Sequence, residues 1–273
     1  MTVHLHHVHL NVQNREASLQ FYEKHLNAKR ILLNGTTEAL QTTPTLLLLD
    51  EHSSAPNGNL PTALQHMGWG TEDTAAWYEA AHARGLSPDT RGFTLFNTHE
   101  TPTVGEPGSG AIIALSGAVP ACFPVPDVAS YMYVLGPDQE RIEVWSGAEG
   151  RVNHVHFTTA DLAATSGWFQ QFLGLPSAVP LLSYQFFLDD ILFFFEPIGA
   201  ADDYENTDDH TLAHVAFAVA SLDAWRARVT ELQIEVVAEP AAAHGFSSFF
   251  VRGPDGLLIE LVEAAKNPEL CPP

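Results

Sequence analysis

The feature that most constrains this chain is that it repeats itself. The stretch "HHVHLNVQNREASLQFYEKHLNA" (6–28) aligns without a gap with "NHVHFTTADLAATSGWFQQFLGL" (153–175), at an offset of 147. His7 meets His154, His9 meets His156, and Leu26 meets Leu173. A second pair, "LQHMGWGTEDTAAWYEAAHARGL" (64–86) and "LAHVAFAVASLDAWRARVTELQI" (212–234), is offset by 148 and aligns His66 with His214. A third, "GPDQERIEVW" (136–145) and "GPDGLLIELV" (253–262), is offset by 117, so the earlier copy carries 31 extra residues. They fall at about 92–125, a stretch rich in Gly, Pro, Thr and Ser that reads as a long loop.

The four units share one grammar. An alternating strand carries a histidine, an amphipathic helix follows with apolar residues such as Leu19, Tyr22 and Leu26 at helical spacing, and shorter strands close the unit. In the second and fourth units a Gly-Pro-Asp turn joins the last strands. The expected fold class is α+β: four βαβββ modules at about 3–51, 62–146, 151–198 and 210–264. One module leaves a half-covered sheet, and two together can bury the shared face. The expected domains are therefore 1–147 and 148–273.

Bulk properties narrow the class. No apolar run approaches the roughly 20 residues needed to cross a bilayer, and "ILFFFEPIGA" is short and interrupted. No basic start precedes a greasy stretch, so a cytoplasmic location is expected. Cys122 and Cys271 suggest neither a disulfide framework nor a cysteine zinc site. The net charge of −21 disfavours nucleic acid and anionic membranes as partners and reads first as a solvated acidic surface with no specific partner. Nothing in the sequence separates a monomer from a homodimer.

The histidines carry the chemistry. His7, His66, His154 and His214 hold the same place in each first strand, and Glu143 and Glu260 hold the same place after the Gly-Pro-Asp turns. In the other two units the matching strand reads "TLLLLDE" and "ILFFFEP", with an apolar carboxylate position and Asp50 or Glu196 nearby. The inventory is two sets of two His and one Glu. Such a set leaves positions open on a divalent ion for water, O₂ or a chelating substrate. The competing reading is a packed, hydrogen-bonded core histidine in each strand. His9 and His156 share the ligand face as neighbours of the ion or as filler, whereas His4 and His6 lie off that face and are expected to be exposed. "YQFFLDDILFFFEP" reads first as two core strands and second as the wall of an aromatic pocket.

These motifs resemble the vicinal oxygen chelate superfamily, which includes glyoxalase I, bleomycin- and fosfomycin-resistance proteins, and extradiol dioxygenases. "NHVHFTTADL" is similar to the family's first-strand motif, with His154 in the ligand position, and "GPDGLLIEL" to its last hairpin, with Glu260 as ligand. The resemblance covers nearly the whole chain and implies paired modules forming two cupped barrels with a metal inside. The metal implied is Fe(II) first, with Mn, Zn or Ni as alternatives.

"HGFSSFFVRGPDGLLIE" (244–260) resembles the extradiol signature, which would make His244 an acid/base group. That signature expects a Tyr where this chain has Phe250. In the second unit Tyr133 takes that place, and Asp127 replaces the His. The resemblance thus implies a metal-dependent dioxygenase-like enzyme with His244 and Tyr133 as acid/base candidates. A glyoxalase-like lyase or isomerase, using a group such as Glu196, and a binding protein without catalysis are the alternatives.

Module pairing stays open. Units one with two and three with four give His7/His66/Glu143 and His154/His214/Glu260. Units one with four and two with three give His7/His214/Glu260 and His154/His66/Glu143. The resemblance favours the site holding His214 and Glu260.

Overall fold

The computed structural model describes residues 3–33, 35–42, 45–52, 63–86, 108–111, 128–147, 149–175, 179–180, 184–188, 191–197 and 210–264. Four βαβββ modules are present. The first is β1 (Val3–Val12), α1 (Arg15–Leu26), β2 (Lys29–Leu33), β3 (Thr37–Thr42) and β4 (Thr45–Glu51). The second is β5 (Leu64–Thr71), α2 (Thr74–Ala83), β6 (Gly108–Ala111), β7 (Val128–Leu135) and β8 (Arg141–Ser146). The third is β9 (Val152–Thr159), α3 (Leu162–Leu173), β10 (Val179–Pro180), β11 (Tyr184–Leu188) and β12 (Ile191–Pro197). The fourth is β13 (Leu212–Val219), α4 (Leu222–Glu231), β14 (Val236–Ala243), β15 (Phe246–Arg252) and β16 (Leu258–Glu263).

The local code is repeated as well. Each helix starts at a short polar residue in extended conformation: Asn14, Asp73, Asp161 and Ser221. Each side chain accepts a hydrogen bond from the backbone N–H three residues on, satisfying an otherwise orphaned donor. Of the expected insertion at 92–125, only β6 lies within the described residues. Asp127 and both cysteines lie outside them.

The strands form two curled eight-stranded sheets. One runs β14-β15-β16-β13-β1-β4-β3-β2, the other β10-β11-β12-β9-β5-β8-β7-β6. Module one thus shares a sheet with module four, and module two with module three. The boundary expected at 147/148 does not follow the sheets, because each sheet takes strands from both halves of the chain.

Tertiary contacts explain this. The turn of module two docks on module one: Asp138 accepts from the Gln13 N–H at 3.0 Å and from Ser18 Oγ at 3.3 Å. The turn of module four docks on module three in the same way, with Asp255 accepting from Thr159 Oγ1 at 2.5 Å and from the Ala160 N–H at 3.3 Å. Helix α1 also meets α2, and α3 meets α4. Trp77 Nε1 donates to the His25 carbonyl at 3.1 Å, and Arg228 Nε donates to the Phe172 carbonyl at 2.8 Å. Modules one and two therefore sit back to back, as do modules three and four, while the first strands pair β1 with β13 and β5 with β9. Val8, Leu10, Tyr22, Trp69, Phe157, Phe169, Phe217 and Trp225 belong to one continuous buried core drawn from all four modules. No helix among the described residues is long and apolar enough to cross a membrane.

The first of these turns encloses a buried acid. Glu140 accepts from Tyr22 Oη at 2.7 Å and from the Asp138 N–H at 3.0 Å. Gly136 leaves room for it, since a Cβ there would lie 1.9 Å from Glu140 Oε1. Burial pushes the Glu140 carboxyl up to about 7, against the Tyr22 hydrogen bond, which favours ionisation. A carboxyl raised in the folded state stabilises the fold fully below its ordinary value of 4.5, and the contribution is lost as pH rises through about 7. Glu140→Gln should therefore remove a pH-dependent loss on the order of 3 kcal/mol between these limits. Urea unfolding of both proteins from pH 4.5 to pH 8 checks this, and parallel stability curves would contradict it.

Candidate metal centres

Strand register sets the layers inside each curled sheet. In every module the residue after the first-strand histidine (Val8, Met67, Val155, Val215) pairs with Leu47, Ile142, Phe193 or Ile259 on the last strand. The next residue on the last strand is the carboxylate position. It is Leu48, Glu143, Phe194 and Glu260 in the four modules. Two of the four places are thus apolar, and each sheet holds two imidazoles and one carboxylate.

In the first cup, His7 Nε2 lies 3.0 Å and His214 Nε2 3.1 Å from the same oxygen, Glu260 Oε2. In the second, His66 Nε2 lies 2.9 Å and His154 Nε2 3.1 Å from Glu143 Oε2. All six expected ligands are brought together, in the sets given by pairing module one with four and two with three. All six are buried.

His7 Nε2 is buried and, despite its proximity to Glu260, makes no hydrogen bond. Converging donors with an unsatisfied ring nitrogen fit a divalent ion. Adjacent ligands on an ion at about 2.1 Å stand roughly 3 Å apart, close to these separations.

The protonation states suit this use, since ligands must be deprotonated. Burial lowers the His7 imidazole to about 3 and the His214 imidazole to about 4, despite Glu260 beside both. Burial also holds His66 well below its ordinary value and lowers His154. For Glu260 and Glu143 burial acts upward, but the paired imidazoles outweigh it and keep both carboxyls below their usual range.

Room for the rings is built into the backbone. A Cβ on Gly68 would lie 1.9 Å from His154 Cε1, so only glycine on β5 admits that imidazole.

Two residues further along the same strand face lies a second layer. Asp50 sits opposite Asn11 and Glu196 opposite Thr158, so they are equivalent positions above Leu48 and Phe194. His9 Nε2 lies 3.4 Å from Asp50 Oδ2, and His156 Nε2 lies 3.2 Å from Glu196 Oε2. Sequence reading placed both carboxylates near the ligand position; the structure puts them one step above it.

The cups then diverge. In the second, His156 Nδ1 lies 3.2 Å from His66 Nε2, and donor atoms of His66, Glu143, His154 and His156 all lie within 4.8 Å of one another. Trp145 and Phe194 stand 4.9 and 5.4 Å from the His154 ring. In the first cup, His9 stacks on His214 at 4.5 Å and 17°, an arrangement that aims the two rings along parallel planes.

The two acid/base candidates fall in different cups. Tyr133 lies opposite Glu143 on β7, buried, with its ring 5.5 Å from that of His66. His244 caps the first cup, its Nε2 3.2 Å from Asp50 Oδ2, and this contact with Asp50 raises its pKa. Phe250 lies opposite Glu260, as Tyr133 does opposite Glu143, and its ring meets His214 edge-on at 5.1 Å.

The phenylalanine-rich run divides by strand parity. Phe186, Phe193 and Phe195 stack within the core, while Phe194 faces the second cup. His4 and His6, expected to be exposed, are half-buried, and the His6 ring packs edge-on against Phe246 at 4.6 Å.

Comparison with known proteins places this architecture. The family model described as the Glyoxalase/Bleomycin resistance protein/Dioxygenase superfamily matches residues 4–116 and 151–261. The chain belongs to that superfamily. Glyoxalase I from Zea mays is 15% identical with a TM-score of 0.67, over 96% of this chain and 92% of that one. A Bacillus subtilis protein provisionally classed as a dioxygenase is 11% identical with a TM-score of 0.63, over 98% of this chain and 86% of that one. At these identities the likeness is one of fold. No curated protein sequence matches the chain.

Proposed function

We propose that the protein is a divalent-metal enzyme whose substrate is a small molecule that chelates the ion through neighbouring oxygens. Extradiol-type cleavage of a catechol-like aromatic with Fe(II) and O₂ is the form the ligand set supports best. The observation that carries this is that Leu48 stands at the fourth ligand position of the first cup, where a second carboxylate would complete the set. Two imidazoles and one carboxylate leave open positions for both substrate and O₂.

An ion held there would supply positive charge to substrate oxygens as charge develops on them. His7, His214 and Glu260 would hold it. Leu48 and Phe250 give that cup apolar surfaces of the kind that line small-molecule sites. The second cup, with four donors and aromatic rings packed against them, is better suited to a closed site, as structural ions prefer.

The absence of a hydroxyl at Phe250 favours a second reading, a lyase or isomerase working on a chelated substrate without O₂. Oxygen uptake by the Fe(II)-loaded protein with a panel of catechols decides between them. The first reading predicts O₂ consumption with loss of the aromatic absorbance. Full iron occupancy with no uptake for any catechol would reject it.

A further inference from the structure

The rim of the first cup repeats, outside the ligand layer, the pattern seen within it. In each ligand layer two histidine Nε2 atoms converge on one oxygen of a single carboxylate. At the rim, His9 Nε2 and His244 Nε2 converge on Asp50 Oδ2, at 3.4 and 3.2 Å. Donor atoms of these three residues all lie within 4.8 Å of one another. Ligands arranged tetrahedrally at about 2.05 Å from an ion are roughly 3.3 Å apart, close to the separations seen here.

We propose that His9, Asp50 and His244 form a third divalent-cation site at the rim of the first cup, adjoining its centre: donor atoms of His7, His9 and His214 also lie within 4.8 Å of one another, and the convergence of His9 Nε2 with His244 on Asp50 assigns His9 to the rim ion. Two imidazoles and a carboxylate select a borderline first-row ion such as Zn²⁺, Co²⁺ or Ni²⁺ over Mg²⁺ or Ca²⁺.

Three further observations support it. The site is open to solvent, with the Asp50 side chain 47% and that of His244 20% exposed, so an ion can enter. His9 is buried, and its stacking on His214 fixes the ring that presents Nε2 to Asp50. His244 takes a left-handed conformation (φ 52°) ahead of Gly245 (φ 81°), and this tight turn between β14 and β15 carries its ring toward Asp50. The second cup keeps the corresponding His156–Glu196 pair, and Asp127 stands in sequence where a second imidazole would be needed. The rim site therefore belongs to the first cup, and it gives His244 a ligand's role in place of proton transfer.

The test is calorimetric titration of the metal-free full-length chain with Zn²⁺. Asp50→Asn and His244→Asn should each bind one equivalent fewer than wild type. Asparagine tolerates the left-handed turn at 244, which keeps the second variant foldable. The double variant His214→Ala/Asp50→Asn should lose two equivalents. Were the cup centres to bind nothing, wild type would take up one equivalent and the single rim variants none, which rejects the cup reading and keeps the rim site. Unchanged stoichiometry in both single rim variants would overturn the proposal and return His244 to a proton-transfer role. Loss of only one equivalent in the double variant would place all these residues on one ion and would overturn it equally.

Discussion

Gly68→Ala is expected to cost about 3 kcal/mol of stability and to abolish metal binding in the second cup while leaving the first intact. The Cβ of alanine would fall 1.9–2.4 Å from three atoms of the His154 imidazole. The ring is buried, with Trp145 and Phe194 against it, so it has nowhere to retreat without opening that packing. Either the ring turns away and its contact with Glu143 breaks, or β5 and β9 separate where Gly68 sits opposite His154. Denaturant unfolding and metal stoichiometry read the two consequences separately. A variant as stable as wild type with both cups loaded would show that His154 is not held as described.

His214→Ala should weaken metal binding in the first cup by at least about 100-fold, more than the loss of a group that merely supports a ligand. His214 is one of two imidazoles on Glu260 Oε2, and without it the ion keeps only His7 and a single carboxylate. The second cup shares none of these residues, so its affinity should not change, which makes it an internal control. Competition with a chelator of known affinity measures both in one experiment. Equal weakening in both cups would point to general loss of structure and would contradict the assignment.

The modules, their element order and all six candidate ligands were legible in the sequence because duplication copies a strand position together with its side chain. His7, His66, His154 and His214 each precede a buried residue that pairs with the last strand, so one alignment locates all four. Pairing was not legible. It depends on Asp138 and Asp255 reaching across to the segments that follow β1 and β9, contacts between residues more than ninety positions apart. Local pattern carries no trace of them, and a boundary at 147/148 looked natural for that reason.

Asp50 and Glu196 show a finer limit. In a strand, a shift of two residues keeps a side chain on the same face, so an alternating pattern cannot say which layer a carboxylate joins. Only the register of β4 on β1 and of β12 on β9 places them above the ligand layer. The run ILFFFEP shows the same ambiguity, because core and cup rings alternate along one strand.

Diffraction from crystals of the metal-loaded protein, recorded on both sides of the metal's absorption edge, tests the central claim most directly. The account predicts one anomalous peak bounded by His7, His214 and Glu260 and another bounded by His66, His154 and Glu143. No peak in either cup, with the imidazoles still directly against Glu260 and Glu143, would contradict it whether or not the rim of the first cup is occupied.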